Sequence, residues 1–240
     1  MSDVREPTQA EIDAKVAVQR ALVLKLEAEA REAAAAASEA ELHRDKFAID
    51  VAREQEKRQR ELAEDTYHHV YRFGDSVTAG TAKSCVDKLM QWSRIDPKCD
   101  MEIVFCSPGG SIIDGMYLYD AIIDLRDAGH KVTTVAMGWA ASMAGILLQA
   151  GDPREMGRQA YVLIHEAAFA AMGKVGEVED TLELVHKMGD RVLDIFAERA
   201  KATGRPAAMS RAQIARHWRR KDWWLTADEC YKYGFVDKIR

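Results

Sequence analysis

Ser142 lies inside VTTVAMGWAASMAGILLQAG, residues 132–151, twenty residues without one ionisable side chain. β-Branched and apolar residues fill 132–137 and good helix formers fill 141–150. The spacing therefore predicts a buried strand that turns into a buried helix, with Ser142 at the join. A serine there has its oxygen near unpaired backbone N–H groups and the positive end of a helix dipole, where a developing oxyanion is stabilised. The same place suits a serine that merely caps the helix. The run is also long enough for a bilayer-spanning helix, but three glycines, two threonines and Gln149 argue against a span.

Residues 107–110 read SPGG, after an apolar strand expected at 101–105 and before an amphipathic run at 112–125. Strand, glycine turn and helix in that order expose backbone N–H groups. Downstream, 160–164 reads as a strand ending on His165, and Asp222 stands between a basic segment and WWLTA. Ser142, His165 and Asp222 thus fall at or near the ends of predicted elements. Nucleophile, base and orienting acid are available, although a triad is defined by geometry and not by spacing. Two other candidates drop out. His165-Glu166 begins like HExxH but has Phe169 in the fifth place, so that zinc motif fails. Asp114 reads as a helix-start residue that favours the dipole.

Four blocks, SPGGSIIDGMYLYDAI, GWAASMAG, YVLIHEA and DWWLTADECYKYGFVDKI, resemble in the same order the blocks of the ClpP family of serine peptidases. The resemblance covers 70–240. It implies an α/β fold of the ClpP/crotonase kind, a layered sheet and helices with a long protruding handle helix. It makes Ser142 the nucleophile, His165 its general base and Asp222 the residue that orients the imidazole, with the backbone N–H groups of Gly110 and Met143 as the oxyanion hole. The implied chemistry is peptide-bond hydrolysis through an acyl-enzyme, with no metal and no cofactor. The implied partners are polypeptide substrate, further copies in a seven-membered ring, and an ATP-driven unfoldase of the ClpX or ClpA kind. Viral and mobile-element relatives instead process capsid or scaffold proteins. An inactive or gated ring scaffold, or a crotonase-like acyl-CoA enzyme, is the alternative, since fold alone does not decide function.

The sequence departs from the family pattern in two places. Between His165 and the following helix it is two or three residues longer and lacks the usual paired glycines, where the family has a handle strand and helix. Arg220 and Lys221 stand where an acid and an arginine commonly bridge two rings, so that bridge does not form in the usual way, and single and double rings both stay open.

Of the 240 residues, 1–66 carry 11 Lys+Arg and 16 Asp+Glu, whereas 67–240 carry 23 of each. The sequence therefore divides into a charged helical extension, 1–66, and a neutral peptidase domain, 67–240. Neither is basic enough for a broad phosphate-contacting surface. The cluster Arg216, His217, Arg219, Arg220 and Lys221 reads as a surface or interface feature. Trp218, Trp223 and Trp224 read as packing around Asp222 or between subunits.

From 10 to 64 there is no glycine or proline, which predicts one long helix or a pair. Ile12, Val16, Gln19, Val23, Leu26, Ala30, Ala33, Ala37 and Ala40 alternate at four and three, the seam of a coiled coil, though its alanine half is thin. Cys85, Cys99, Cys106 and Cys230 form no CxxC pair and have no nearby His in sequence, so neither zinc nor a disulfide framework is indicated. Adjacent His68 and His69 point different ways on a strand and read as a surface pair. The charged start, MSDVREPTQAE, does not resemble a secretory signal. A cytoplasmic location is the expectation.

Overall fold

The computed structural model describes residues 8–219 and 221–240. The chain divides into two compact units after Ala63.

The first unit is one helix, α1 (Gln9–Ala63), uninterrupted over 55 residues and roughly 80 Å long at 1.5 Å per residue. Alanine, glutamate, leucine and lysine supply high intrinsic propensity. Pairs four residues apart such as Lys25–Glu29 and Arg60–Glu56 lace its surface. None of its residues is buried. The apolar seam positions Ile12, Val16, Val23 and Leu26 are 40%, 44%, 53% and 56% exposed.

The second unit alternates strand and helix: β1 (Val70–Phe73), α2 (Ala79–Ile95), β2 (Asp100–Ser107), α3 (Ile112–Asp127), β3 (Lys131–Ala141), α4 (Met143–Leu148), β4 (Arg154–Met156) and β5 (Tyr161–Ile164). Then come α5 (Val175–Ala202), α6 (Arg211–Trp218), β6 (Trp223–Thr226), α7 (Ala227–Tyr233) and β7 (Lys238–Ile239). The main sheet runs β1-β2-β3-β4-β7, and every pairing in it is parallel. Parallel strands need covering on both faces. This explains the apolar runs at 101–105 and 132–136 and the buried faces of α2 and α3.

One irregularity shapes the sheet. β2 and β3 stay in register as far as Phe105↔Ala136, then resume at Ser107↔Ala140. β3 thus carries extra residues, including Gly138 at φ 71°. Such a bulge bends a strand and re-aims it. Before it, β3 pairs with β4 at Thr134–Ala136; after it, β3 pairs with β5 at Trp139–Ala141. β5 in turn takes β6 antiparallel, with Ile164 opposite Trp223.

The segment 165–174 contains no strand, so the handle strand of the family resemblance is absent, and the chain passes straight from His165 into coil. α5 buries residues only from Val192 onward. Its first half extends beyond the core as a handle helix without its strand. The short β4, α6 and β7 have no counterpart in the sequence reading. The three residues of β4 and two of β7 are too few for a periodicity to register, and the eight of α6 make barely two turns.

Buried charge closes the structure. Arg154, 1% exposed, donates to both carboxylate oxygens of Asp237 at 3.0 and 2.7 Å and to Gln149 Oε1 at 2.7 Å. Gln149, the polar residue in the apolar run, is therefore an internal partner for this guanidinium. No helix among the described residues is long and apolar enough to cross a membrane.

Candidate active site

β3 ends at Ala141 and α4 begins at Met143, leaving Ser142 alone to make the turn. It does so at φ 55°, ψ −123°, a left-handed region that costs a non-glycine residue on the order of 1–3 kcal/mol. Its N–H donates to the Leu163 carbonyl on β5 at 2.9 Å, and its own carbonyl accepts from Gly145 at 3.0 Å. The side chain makes no capping bond. Ser142 thus occupies the N-cap position of α4 without serving as its side-chain cap. The residue is half-buried, while α4 behind it is wholly buried.

The SPGG turn packs against this elbow. Ser107, fully buried, donates to the Asp75 carbonyl at 2.6 Å and accepts from the Gly109 N–H at 3.2 Å. Gly109 sits at φ 87°, and a Cβ there would fall 2.4 Å from the Ala141 carbonyl oxygen and 2.8 Å from the Met143 nitrogen. Gly110 bridges to Val77, whose backbone would touch any added Cβ at 2.3 Å. Val77 takes its hydrogen bonds from the neighbours, donating to the Gly109 carbonyl and accepting from the Ser111 N–H. Among the described residues, the N–H groups of Gly110 and Met143 donate to no turn, loop or cap carbonyl. Met143 follows Ser142 directly, and Gly110 follows Gly109, which packs against Ser142.

His165 follows the last residue of β5 and Asp222 precedes the first of β6. Because Ile164 faces Trp223 across this antiparallel pair, the two residues emerge side by side. They line one cleft together with Glu166 and Lys221. Ser142 and His165 share a second, apolar cavity walled by Ile112, Ile146, Val192 and Trp218. Its free space is about 30 Å³, room for roughly two waters. Among the described residues, no hydrogen bond joins Ser142 to His165 or His165 to Asp222.

The family model for Clp protease matches residues 53–240. The chain belongs to the Clp protease family. It is 33% identical over 169 residues to ATP-dependent Clp protease proteolytic subunit 2 of Tropheryma whipplei (strain Twist), covering 70% of this chain and 88% of that one. It is 29% identical over 170 residues to the ATP-dependent Clp protease proteolytic subunit of Bacteroides thetaiotaomicron, covering 69% and 71%. As a member of this family the protein is a serine-type endopeptidase of the ClpP kind.

The Clp protease match begins inside α1 and spans every candidate site residue. The sequence had singled out Ser142, His165, Asp222, Gly110 and Met143. It did not single out Gly115, which lies against the elbow. A Cβ on Gly115 would stand 2.3 Å from the Met143 side chain. Nor did it place Trp218, 6% exposed, in the cavity wall. Trp223 packs with His217, Tyr233 and Phe235, and Trp224 stacks on Trp139 at 6.2 Å. Trp223 is thus held by packing, while Trp224 keeps 44% of its surface exposed and Trp218 faces the cavity beside Ser142. Lys221 is exposed in the cleft beside Asp222. Arg220, the other residue of that departure, lies outside the described residues.

Proposed function

We propose that the protein hydrolyses peptide bonds by acyl transfer at Ser142, with His165 as general base, Asp222 orienting the imidazole, and the N–H groups of Gly110 and Met143 receiving the oxyanion. In the first half-reaction His165 removes the Ser142 proton as the hydroxyl attacks the scissile carbonyl. The tetrahedral intermediate then expels the amine, which takes that proton. Water, deprotonated by His165, releases the acyl group. The single observation that carries this reading is the strained Ser142 elbow set against two free glycine-turn and helix-start N–H groups. The apolar cavity beside Ser142 supports an apolar side chain next to the scissile bond.

The absent triad hydrogen bonds support activation by assembly, since catalytic hydrogen bonds are often long in an unliganded protein and tighten later. Trp139, Tyr161 and Trp224 are 37%, 49% and 44% exposed, a concentration of aromatic surface that fits contact between copies. A homo-oligomeric ring, probed against an unfoldase partner of the ClpX or ClpA kind, is the assembly we infer. α1 gives a second route to substrate: docking on an assembling capsid or scaffold protein without ATP.

The test is mass in solution combined with fluorophosphonate labelling, on the wild type and Ser142→Ala. A ring-sized particle that labels, and loses the label in the variant, is the expected result. A ring that never labels overturns the peptidase assignment in favour of a gated scaffold.

A further inference from the structure

The far end of the sheet holds a group of side chains that the peptide chemistry does not use. β1, β2 and β3 run parallel, so their first residues share one edge and their last residues the other. Ser142 and the SPGG turn lie at the C-terminal edge. His69, Asp96, Cys99 and His130 lie at the N-terminal edge. The eight residues of β2 separate the two by roughly 25 Å at about 3.3 Å per residue.

We propose that His69, Asp96 and Cys99 form a binding site for a divalent transition metal, with zinc the best chemical match. One donor atom from each residue lies within 4.8 Å of the other two, the one such group of three among the described residues. Zinc holds sulfur at about 2.3 Å and nitrogen or oxygen at about 2.0–2.2 Å in tetrahedral geometry, which sets neighbouring donors about 3.3–3.6 Å apart. Closing the group requires movements of about an ångström, within reach of a half-buried imidazole and an exposed carboxylate. A mixed nitrogen, oxygen and sulfur set selects zinc-like ions over magnesium or calcium. Three protein ligands leave the fourth position to water.

The three residues are held in place by the fold. Cys99 is buried and its N–H donates to the Asp96 carbonyl at 3.1 Å, a tight turn after α2 that keeps the two donors together. His69 stands at φ 53°, a backbone state that histidine adopts only at a cost. Its carbonyl is anchored by the Glu102 N–H at 2.9 Å, and its ring lies 5.4 Å from that of Trp92. Behind Cys99 sits a second histidine. His130, 6% exposed, places Nδ1 3.1 Å from the Cys99 carbonyl and 3.7 Å from its sulfur, while Nε2 meets the Ser93 hydroxyl at 2.8 Å. An N–H on Nδ1 would donate toward the carbonyl and a metal-bound thiolate, the outer support that zinc ligands commonly have. A buried cysteine needs no such company for packing alone. The chemical consequence is a clip that ties the entry of β1 to the α2–β2 turn.

The test uses the full-length protein, reduced and metal-free, titrated with Co²⁺ alone and then with Zn²⁺. Saturable binding of a single equivalent, a thiolate-to-cobalt charge-transfer band and displacement by Zn²⁺ are expected. His69→Asn, Asp96→Asn and Cys99→Ser should each weaken binding by about tenfold or more, while Ser142→Ala leaves it unchanged. Asparagine tolerates positive φ, so His69→Asn keeps the fold, and Asp96→Asn is a surface change. These two answer the question even where Cys99→Ser is unstable. Absence of the band, its survival in both asparagine variants, or its loss in Cys106→Ser, where the thiol is exposed, overturns the site.

Discussion

Gly109 lies against Ser142 so closely that one carbon added to the glycine would stand 2.7 Å from the Ser142 Cβ. The obstacle is backbone and the base of a side chain, neither of which can swing away. The glycine turn and the Ser142 elbow therefore form one rigid unit, and φ 87° at Gly109 adds its own demand for glycine. Gly109→Ala is expected to cost about 1–3 kcal/mol of stability and to abolish fluorophosphonate labelling. Thermal unfolding followed beside labelling checks this; a variant that labels at the wild-type rate would show that the elbow does not depend on the turn.

Asp222→Asn is expected to leave the fold intact, because Asp222 is exposed and packs in no core. If it orients His165, the loss in kcat is on the order of 10⁴-fold, through the wrong imidazole tautomer. Ser142→Ala lowers activity at least as far. Peptide turnover of the two variants and their combination separates the cases: residues acting as a unit give a double variant no worse than the poorer single one.

Asp237 makes stability depend on acid. Burial would push its carboxyl up, but the hydrogen bonds and charge of Arg154 outweigh burial and hold it below the ordinary range. Its folded value lies under the unfolded one, near about 3.9. The stabilisation is thus full above that unfolded value and is lost as pH falls through the folded one. Urea midpoints measured from neutral to acidic pH should fall more steeply in this window for the wild type than for Asp237→Asn. At neutral pH, removing the carboxylate leaves the buried Arg154 short of its partner and costs roughly 3 kcal/mol.

Deleting 1–63 should leave the remaining unit folded, because α1 contributes no buried residue. Its unfolding temperature is expected to stay within a few degrees of the full chain's, while helical circular dichroism drops. If the seam of Ile12, Val16, Val23 and Leu26 pairs copies as a coiled coil, the particle mass by light scattering also falls by more than the deleted residues account for.

A divalent metal at His69, Asp96 and Cys99 binds the folded state and should raise the unfolding temperature by linkage. The rise is expected with Zn²⁺ in the wild type and in Ser142→Ala, and not in His69→Asn. Differential scanning calorimetry with and without a chelator reads it directly.

The strands β1, β2, β3 and β5 and the helices α1, α2, α3 and α5 were legible because each carries an apolar period or an unbroken propensity long enough to register. The four motif blocks carried the family, and with it the proposal of Ser142, His165 and Asp222 as a triad. Other features exist only in three dimensions. The bulge at Gly138 depends on how β3 is shared between β4 and β5, a competition for hydrogen bonds that no local pattern encodes. The missing handle strand at 165–174 and the buried pairing of Gln149 with Arg154 are likewise decided by what lies opposite them. Cys99 is 30 residues from His69 and 31 from His130 in the chain, and no spacing rule joins them. Local sequence determines which groups are available and which element each ends; parallel strands brought side by side decide which of those groups meet.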